Sequence, residues 1–92
     1  MKNSGWQDFL TLCLATKNEK NLSLLLDLFL TPEEKDSLTT RYLIIDELLK
    51  QQKTQRNIAD ALHVSIAKIT RGSNELKRMP QALIDFLKQN MR

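Results

Sequence analysis

The sequence predicts an all-α protein, a six-helix chain, and three observations support this fold class. Its 92 residues include only two glycines and two prolines, the residues that most disfavour helix. Apolar residues recur at helical spacing: Trp6, Phe9, Leu10 and Cys13 take positions i, i+3, i+4 and i+7. Several such segments also begin with a residue that caps helices.

The first two helices are predicted around a polar break at Asn18 and Asn21. After this break, the segment Leu22 to Leu30 (LSLLLDLFL) has seven apolar residues in nine, distributed on all sides of a helix. Such a helix must be buried on every side, and a chain this short has difficulty enclosing one. Burial between two chains is therefore expected.

The third helix has a strong start signal. Thr31 is placed to cap it, Pro32 takes its first position, and Glu34 completes a capping box. The apolar stripe that follows continues to about Lys50.

Three further helices are predicted in the second half. Thr54 is placed to cap one that ends at Leu62, and Ser65 one that ends at about Lys77. Pro80 opens a last amphipathic helix.

Composition excludes several functions. A single cysteine and a single histidine give no internal disulfide, no structural zinc site and no evident catalytic group, so neither an enzyme nor a cofactor is expected. The longest apolar stretch is about half of a membrane span, and no signal peptide opens the chain. We expect a reduced cytoplasmic protein with no membrane contact.

Charge is unevenly distributed. The formal net charge is +3, but residues 1–50 hold six Lys and Arg against eight Asp and Glu, whereas residues 51–92 hold eight against three. The second half therefore has a net charge of +5 and is the expected site for a polyanion.

The segment from Thr54 to Arg71 has the pattern of a helix-turn-helix. Two short helices flank a three-residue turn, and a small residue, Ala59, lies where they cross. The apolar positions are Ile58, Ala59 and Leu62 on the first helix, Val64 in the turn, and Ile66 and Ile69 on the second helix. His63 takes the turn position where glycine often adopts a left-handed conformation. A hairpin that serves packing alone is the alternative.

The run ITRGSN at positions 69–74, followed by Leu76 and Lys77, resembles the recognition helix of the bacterial tryptophan repressor family. The similarity extends to LFLTPEE at 28–34, to Thr40-Arg41 and to IIDELL at 44–49. The combination of ITRGSN with a helix-turn-helix pattern is specific to this family. The resemblance implies a single domain over 1–92, an intertwined homodimer with its dimerisation core at 6–50 and 80–90, a helix-turn-helix at 54–77, and free L-tryptophan as corepressor.

The resemblance also implies a tryptophan site. Arg41 and Arg71 would sandwich the indole, since guanidinium groups stack on aromatic faces. Arg71 would also bind the carboxylate, and backbone carbonyls of the partner chain would accept from the ammonium. The implied set is Leu28, Leu30, Thr31, Arg41, Ile44, Arg71, Gly72 and Glu75. Glu75 departs from the small hydroxyl residue usual there, and we hypothesise that it contacts the ammonium.

For operator DNA, the resemblance implies a direct guanine contact by Arg56 and backbone contacts by Gln55 and Lys77. The groove-facing residues at the start of the second helix would be Ser65, Ile66, Ala67, Lys68 and Thr70. Ser65 and Lys68 replace smaller or neutral residues, so we expect the operator sequence to differ from the familiar one.

Two alternatives remain. A regulator of the same fold could respond to another aromatic effector or to none. The basic half could instead bind an acidic protein, in which case substitution of Arg56 and Lys68 would not affect DNA binding.

Overall fold

A computed structural model describes residues 4–91 and has six helices, with no strand among these residues. The helices are α1 (Ser4–Ala15), α2 (Glu19–Phe29), α3 (Pro32–Lys50), α4 (Gln55–Leu62), α5 (Ile66–Lys77) and α6 (Gln81–Asn90). The predicted all-α class and helix number are confirmed. No helix in the described range is both long and apolar enough to cross a bilayer.

The chain forms two compact units, one ending at Lys35 and the other beginning at Asp36. The predicted single domain, its dimerisation core at 6–50 and 80–90 and the intertwined dimer stay predictions.

In the first unit, the start of α2 differs from the sequence-based expectation. The side chain of Asn18 accepts a hydrogen bond from the backbone N–H of Asn21 at 2.9 Å, so α2 begins at Glu19. The expected break at Asn18 is confirmed, but Asn21 lies inside the helix. The apolar pattern that predicts α2 begins only at Leu22, so it does not include the polar first turn of the helix.

Among its described residues, 4–35, the first unit has no buried core. Neither α1 nor α2 contains a buried residue, and Leu14 and Leu28 are 86% and 78% exposed. Phe9 stacks on Trp6 with ring centroids 5.8 Å apart and meets the edge of Phe29 at 5.3 Å. The second contact joins α1 to α2, but large apolar side chains of both helices stay exposed.

The start of α3 is fixed by the predicted capping box. The backbone N–H of Thr31 donates to Oε1 of Glu34 at 2.8 Å, and the backbone N–H of Glu34 donates to Oγ1 of Thr31 at 3.1 Å. Two helix N-terminal donors are thereby satisfied. An ion pair between Lys35 and Asp27 links the first turn of α3 to α2.

The second unit has a small core built by α3, α4 and α5. Ile58 and Ile69 are fully buried, Ile44 is 3% exposed and Ala59 is 7% exposed. The partly buried side chains packed on this cluster are Leu48, Leu62 and Val64. The predicted inner face of the helix-turn-helix is therefore confirmed at Ile58, Ala59 and Ile69.

The turn between α4 and α5 is closed by backbone hydrogen bonds. His63 adopts the left-handed conformation (φ 57°, ψ 45°), as expected from its position. Its N–H donates to the carbonyl of Asp60, and the N–H of Val64 donates to that of Ala59 at 3.0 Å, which together form a Schellman motif. Ser65 then caps α5 by accepting from the N–H of Lys68 at 3.3 Å.

Candidate functional site

The outer surface of α4 and α5 contains the residues predicted to contact DNA. Gln55 and Arg56 form the start of α4, where Thr54 caps the helix by accepting from the N–H of Asn57 at 3.1 Å. Arg56 is exposed, and Gln55 is half-buried. The hydroxyl of Thr70 donates to Oε1 of Gln55 at 3.0 Å, so these two predicted residues are joined across the two helices.

The start of α5 is open to solvent. Ile66 is 48% exposed although it is adjacent to the core helix face, so its side chain offers an apolar contact at the outer surface. The other predicted residues in this segment are also exposed, namely Ser65, Ala67, Lys68 and Thr70. Lys77 is exposed in the last turn of α5, far along the helix from Lys68.

A second feature of this unit is an open groove of about 700 Å³ between α3 and α5. Five of the eight residues predicted to bind the ligand line it, namely Arg41, Ile44, Arg71, Gly72 and Glu75. The sequence thus predicted residues from both walls of one groove. A groove of this size is in the range of pockets that bind small molecules.

Gly72 sets the approach of α5 to α3. A Cβ atom built on Gly72 would lie 3.0 Å from Cγ2 of Ile44, 3.5 Å from Cδ1 of Leu48 and 3.8 Å from Cδ1 of Ile45. The first distance is shorter than ordinary van der Waals contact, and Ile44 is buried and has little room to move. Glycine at position 72 therefore permits the two helices to meet at the base of the groove.

The groove carries charges of both signs. Arg41, Lys68 and Arg71 are its cations, and Asp36 and Glu75 are its carboxylates. Glu75 already has a partner, because Nη1 of Arg78 donates to its Oε2 at 3.0 Å. Both partners are more than half exposed, so this pair is weak and open to competition.

The remaining three predicted ligand residues, Leu28, Leu30 and Thr31, lie in the first unit. The carbonyl of Leu28 has no helical donor four residues later, since Pro32 lacks an N–H. The corresponding donor for Leu30 is the N–H of Glu34, which bonds to Thr31 instead. The proline and the capping box thus keep both carbonyls out of the α3 hydrogen-bond ladder.

Sequence reasoning missed several groove residues, namely Asp36, Ser37, Thr40, Ile45 and, as a groove residue, Lys68. A signal for most of them was present. Positions 37, 40, 41 and 44 follow the spacing i, i+3, i+4 and i+7, and so do positions 68, 71, 72 and 75. Two helical stripes with this spacing form the two walls.

Nothing in the site indicates metal chemistry: residues 4–91 contain no group of three or more His, Cys, Asp or Glu side chains that could hold a metal ion. The side chains that line the groove offer charge, hydrogen bonds and apolar surface, which suit reversible binding.

The second unit thus contains two short capped helices joined by a Schellman turn, and the second of these helices has an exposed basic start. This arrangement is a helix-turn-helix, the motif that defines a class of DNA-binding regulators.

Comparison with known proteins identifies the family. The sequence model described as Trp repressor protein matches residues 4–91. A "Trp operon repressor homolog" of Chlamydia trachomatis serovar D is 48% identical over 94 residues, covering 99% of this chain and all of the relative. Proteins of the same name from Chlamydia caviae and Vibrio parahaemolyticus are 47% and 45% identical; they align with 92% and 90% of this chain and with 84% and 81% of their own lengths. The chain belongs to the Trp repressor family, whose members are DNA-binding regulators and not enzymes.

Proposed function

We propose that this chain is an L-tryptophan-dependent repressor that binds operator DNA as a homodimer in the cytoplasm and regulates genes for tryptophan supply. One observation supports this most strongly: Arg71 and Gly72 line the groove and belong to α5, the predicted DNA-reading helix. A ligand in the groove would therefore touch the helix that reads DNA.

The groove suits an indole ring. Arg41 on α3 and Arg71 on α5 would stack on its two faces, and Ile44 would supply apolar wall at its base. The guanidinium of Arg71 would also bind the ligand carboxylate, because charge-assisted pairs of this kind are strong. The hydroxyl of Thr31 would help Arg71 to bind that carboxylate, since a hydroxyl can donate a hydrogen bond.

Two groups would accept hydrogen bonds from the ligand ammonium. The carbonyls of Leu28 and Leu30, supplied by a second copy of the chain, lie outside the α3 ladder and retain acceptor capacity. Glu75 is the second group, and it would exchange its exposed pair with Arg78 for the ammonium. A Glu75→Ser variant that bound tryptophan as tightly as wild type would contradict the role of Glu75.

On the DNA side, Arg56 would contact guanine directly, since its guanidinium can form two parallel hydrogen bonds with that base. Gln55 and Lys77 would contact the phosphate backbone. The exposed start of α5, with Ser65, Ile66, Ala67, Lys68 and Thr70, would enter the major groove.

The exposed apolar surface of α1 and α2 supports the proposed dimer, because a second chain would cover it. Tryptophan would then set the two recognition helices about one DNA turn (~34 Å) apart. The effect of tryptophan on DNA binding is limited by the difference between its affinities for the two orientations of the recognition helices, the one that fits the operator and the one that does not. Operator DNA must tighten tryptophan binding by the same factor as tryptophan tightens operator binding.

Fluorescence anisotropy with a labelled duplex that carries a tryptophan-operon operator tests this function. The titration is run at fixed salt, with and without L-tryptophan, because phosphate contacts make affinity salt-dependent. Tight binding only with tryptophan is the expected result. Equal binding in both conditions would favour a regulator with another effector or none. The proposal would be contradicted if the protein did not bind the operator and had a monomeric mass by light scattering.

A further inference from the structure

Lys68 occupies an unusual place in this molecule. It lies in the first turn of α5, on the exposed side of the helix-turn-helix, yet it also lines the groove. The hydroxyl of Ser65 accepts from its backbone N–H at 3.3 Å, which fixes the base of its side chain. The Lys68 side chain is exposed and takes part in none of the ion pairs among residues 4–91, so its ammonium group can serve a ligand in the groove.

The groove has an excess of positive charge. Its three cations, Arg41, Lys68 and Arg71, outnumber its two carboxylates, Asp36 and Glu75. Within residues 4–91, none of these three cations forms an ion pair within 4.0 Å; the pairs present involve other lysines and an arginine.

Lys68 and Arg71 also repel each other. They are three residues apart on one face of α5, where like charges destabilise a helix. An anion bound between their side chains would remove this repulsion and gain two charge-assisted hydrogen bonds. The arrangement favours a ligand with a compact planar anion, and a carboxylate matches that description.

We propose that Lys68 is a specificity-determining residue of the groove, and that its ammonium group binds the ligand carboxylate together with Arg71. This inference rests on the proposed tryptophan-binding function and adds a selection rule to it. Aromatic amino acids and aromatic carboxylic acids should bind more tightly than the corresponding amides, amines and unsubstituted indoles. Lys68 thereby has a role in ligand binding that is separate from any contact with DNA.

Isothermal titration without DNA tests this rule with two ligands, L-tryptophan and L-tryptophanamide, which differ in the charge of one group. The variants are Lys68→Gln and Lys68→Arg, with Lys53→Gln as the matched control, because Lys53 is an exposed lysine of the same unit that lies outside both the groove and the predicted DNA contacts. We expect Lys68→Gln to weaken L-tryptophan binding about five- to tenfold, as the loss of one partly screened charged hydrogen bond. Binding of L-tryptophanamide should change less than twofold.

The controls separate charge from structure. Lys68→Arg keeps the positive charge and should retain the preference for L-tryptophan, and Lys53→Gln should bind both ligands as wild type does. Equal losses for the two ligands, or no loss for L-tryptophan, in Lys68→Gln would overturn the role of Lys68 alone. Wild-type protein that binds no L-tryptophan would overturn the proposed function and this inference with it.

Discussion

The two units of this chain differ in how they hold their apolar side chains. In the unit that begins at Asp36, Ile44, Ile58, Ala59 and Ile69 form a buried cluster. In the unit that ends at Lys35, α1 and α2 bury no residue, although they are the more hydrophobic helices of the chain. Hydrophobicity of a segment therefore does not measure how much of its stability comes from its own chain.

The difference has a simple physical origin. Apolar residues on α4 are confined to one face, and that face is covered by α3 and α5, so a few side chains close a core. In α2 they lie on all sides, and none of its residues is buried. The helix-turn-helix thus has a core within its own unit, whereas the side chains of α1 and α2 remain accessible to water within the described chain.

The largest expected effect is on the core of the second unit. Ile69→Ala should lower the free energy of unfolding by about 3–4 kcal/mol, because Ile69 is fully buried and truncation leaves a cavity. Urea unfolding followed by circular dichroism at fixed protein concentration measures this change.

Ile66→Ala is the matched control, since Ile66 is on the same helix and 48% exposed. It should cost less than about 0.5 kcal/mol and act on operator affinity instead. Equal destabilisation by both variants would contradict the core described for this unit.

The next effect concerns the first unit. Leu24→Glu places a charge on α2 at a side chain that is 58% exposed in one chain. If a second chain covers it, the dimer dissociation constant should rise about 100-fold, roughly 2.7 kcal/mol, because the carboxylate would be buried without a partner.

Light scattering over a dilution series measures the dimer fraction. Ile66→Glu, a similar substitution at a similarly exposed residue of α5, should leave the mass unchanged. A dimer that survives Leu24→Glu at the lowest concentrations would show that α2 is not in the interface.

The smallest effect is in the turn of the second unit. His63→Gly should stabilise the protein by about 0.5–1 kcal/mol. Glycine removes the strain that a Cβ causes in the left-handed conformation, and this gain exceeds the loss due to the larger conformational entropy of glycine in the unfolded chain.

His63→Ala keeps the Cβ and serves as the control. It should give no gain in the midpoint of thermal unfolding. A gain of the same size in both variants would assign the effect to the imidazole and not to the backbone.

Much of the fold was accessible to sequence reasoning because it depends on local signals. Thr31, Thr54 and Ser65 each cap the helix that their position predicted. The apolar pattern predicts a start of α2 at Leu22, three residues later than the observed start at Glu19, because this pattern carries no information about a polar first turn. Caps fix helix ends more reliably than periodicity does.

The candidate site was accessible only in part. The family resemblance predicts Arg41 and Arg71 as residues of the ligand site, whereas it predicts Lys68 only as a DNA contact. The direction of its side chain toward the groove depends on where α3 passes α5, which the close approach at Gly72 determines. That is a tertiary property, and helical spacing could restrict the candidates without choosing among them.

The missing core of the first unit also affects how the protein is made. Synthesis proceeds from the N-terminus, so α1 and α2 leave the ribosome before the helices that can bury side chains within one chain. The later segment has mostly local contacts, which favour fast folding, whereas the earlier one exposes leucines that a second chain would cover in the proposed dimer. In that dimer the order of stabilisation would be the reverse of the order of translation, and chains synthesised side by side on one messenger RNA would shorten the interval between them.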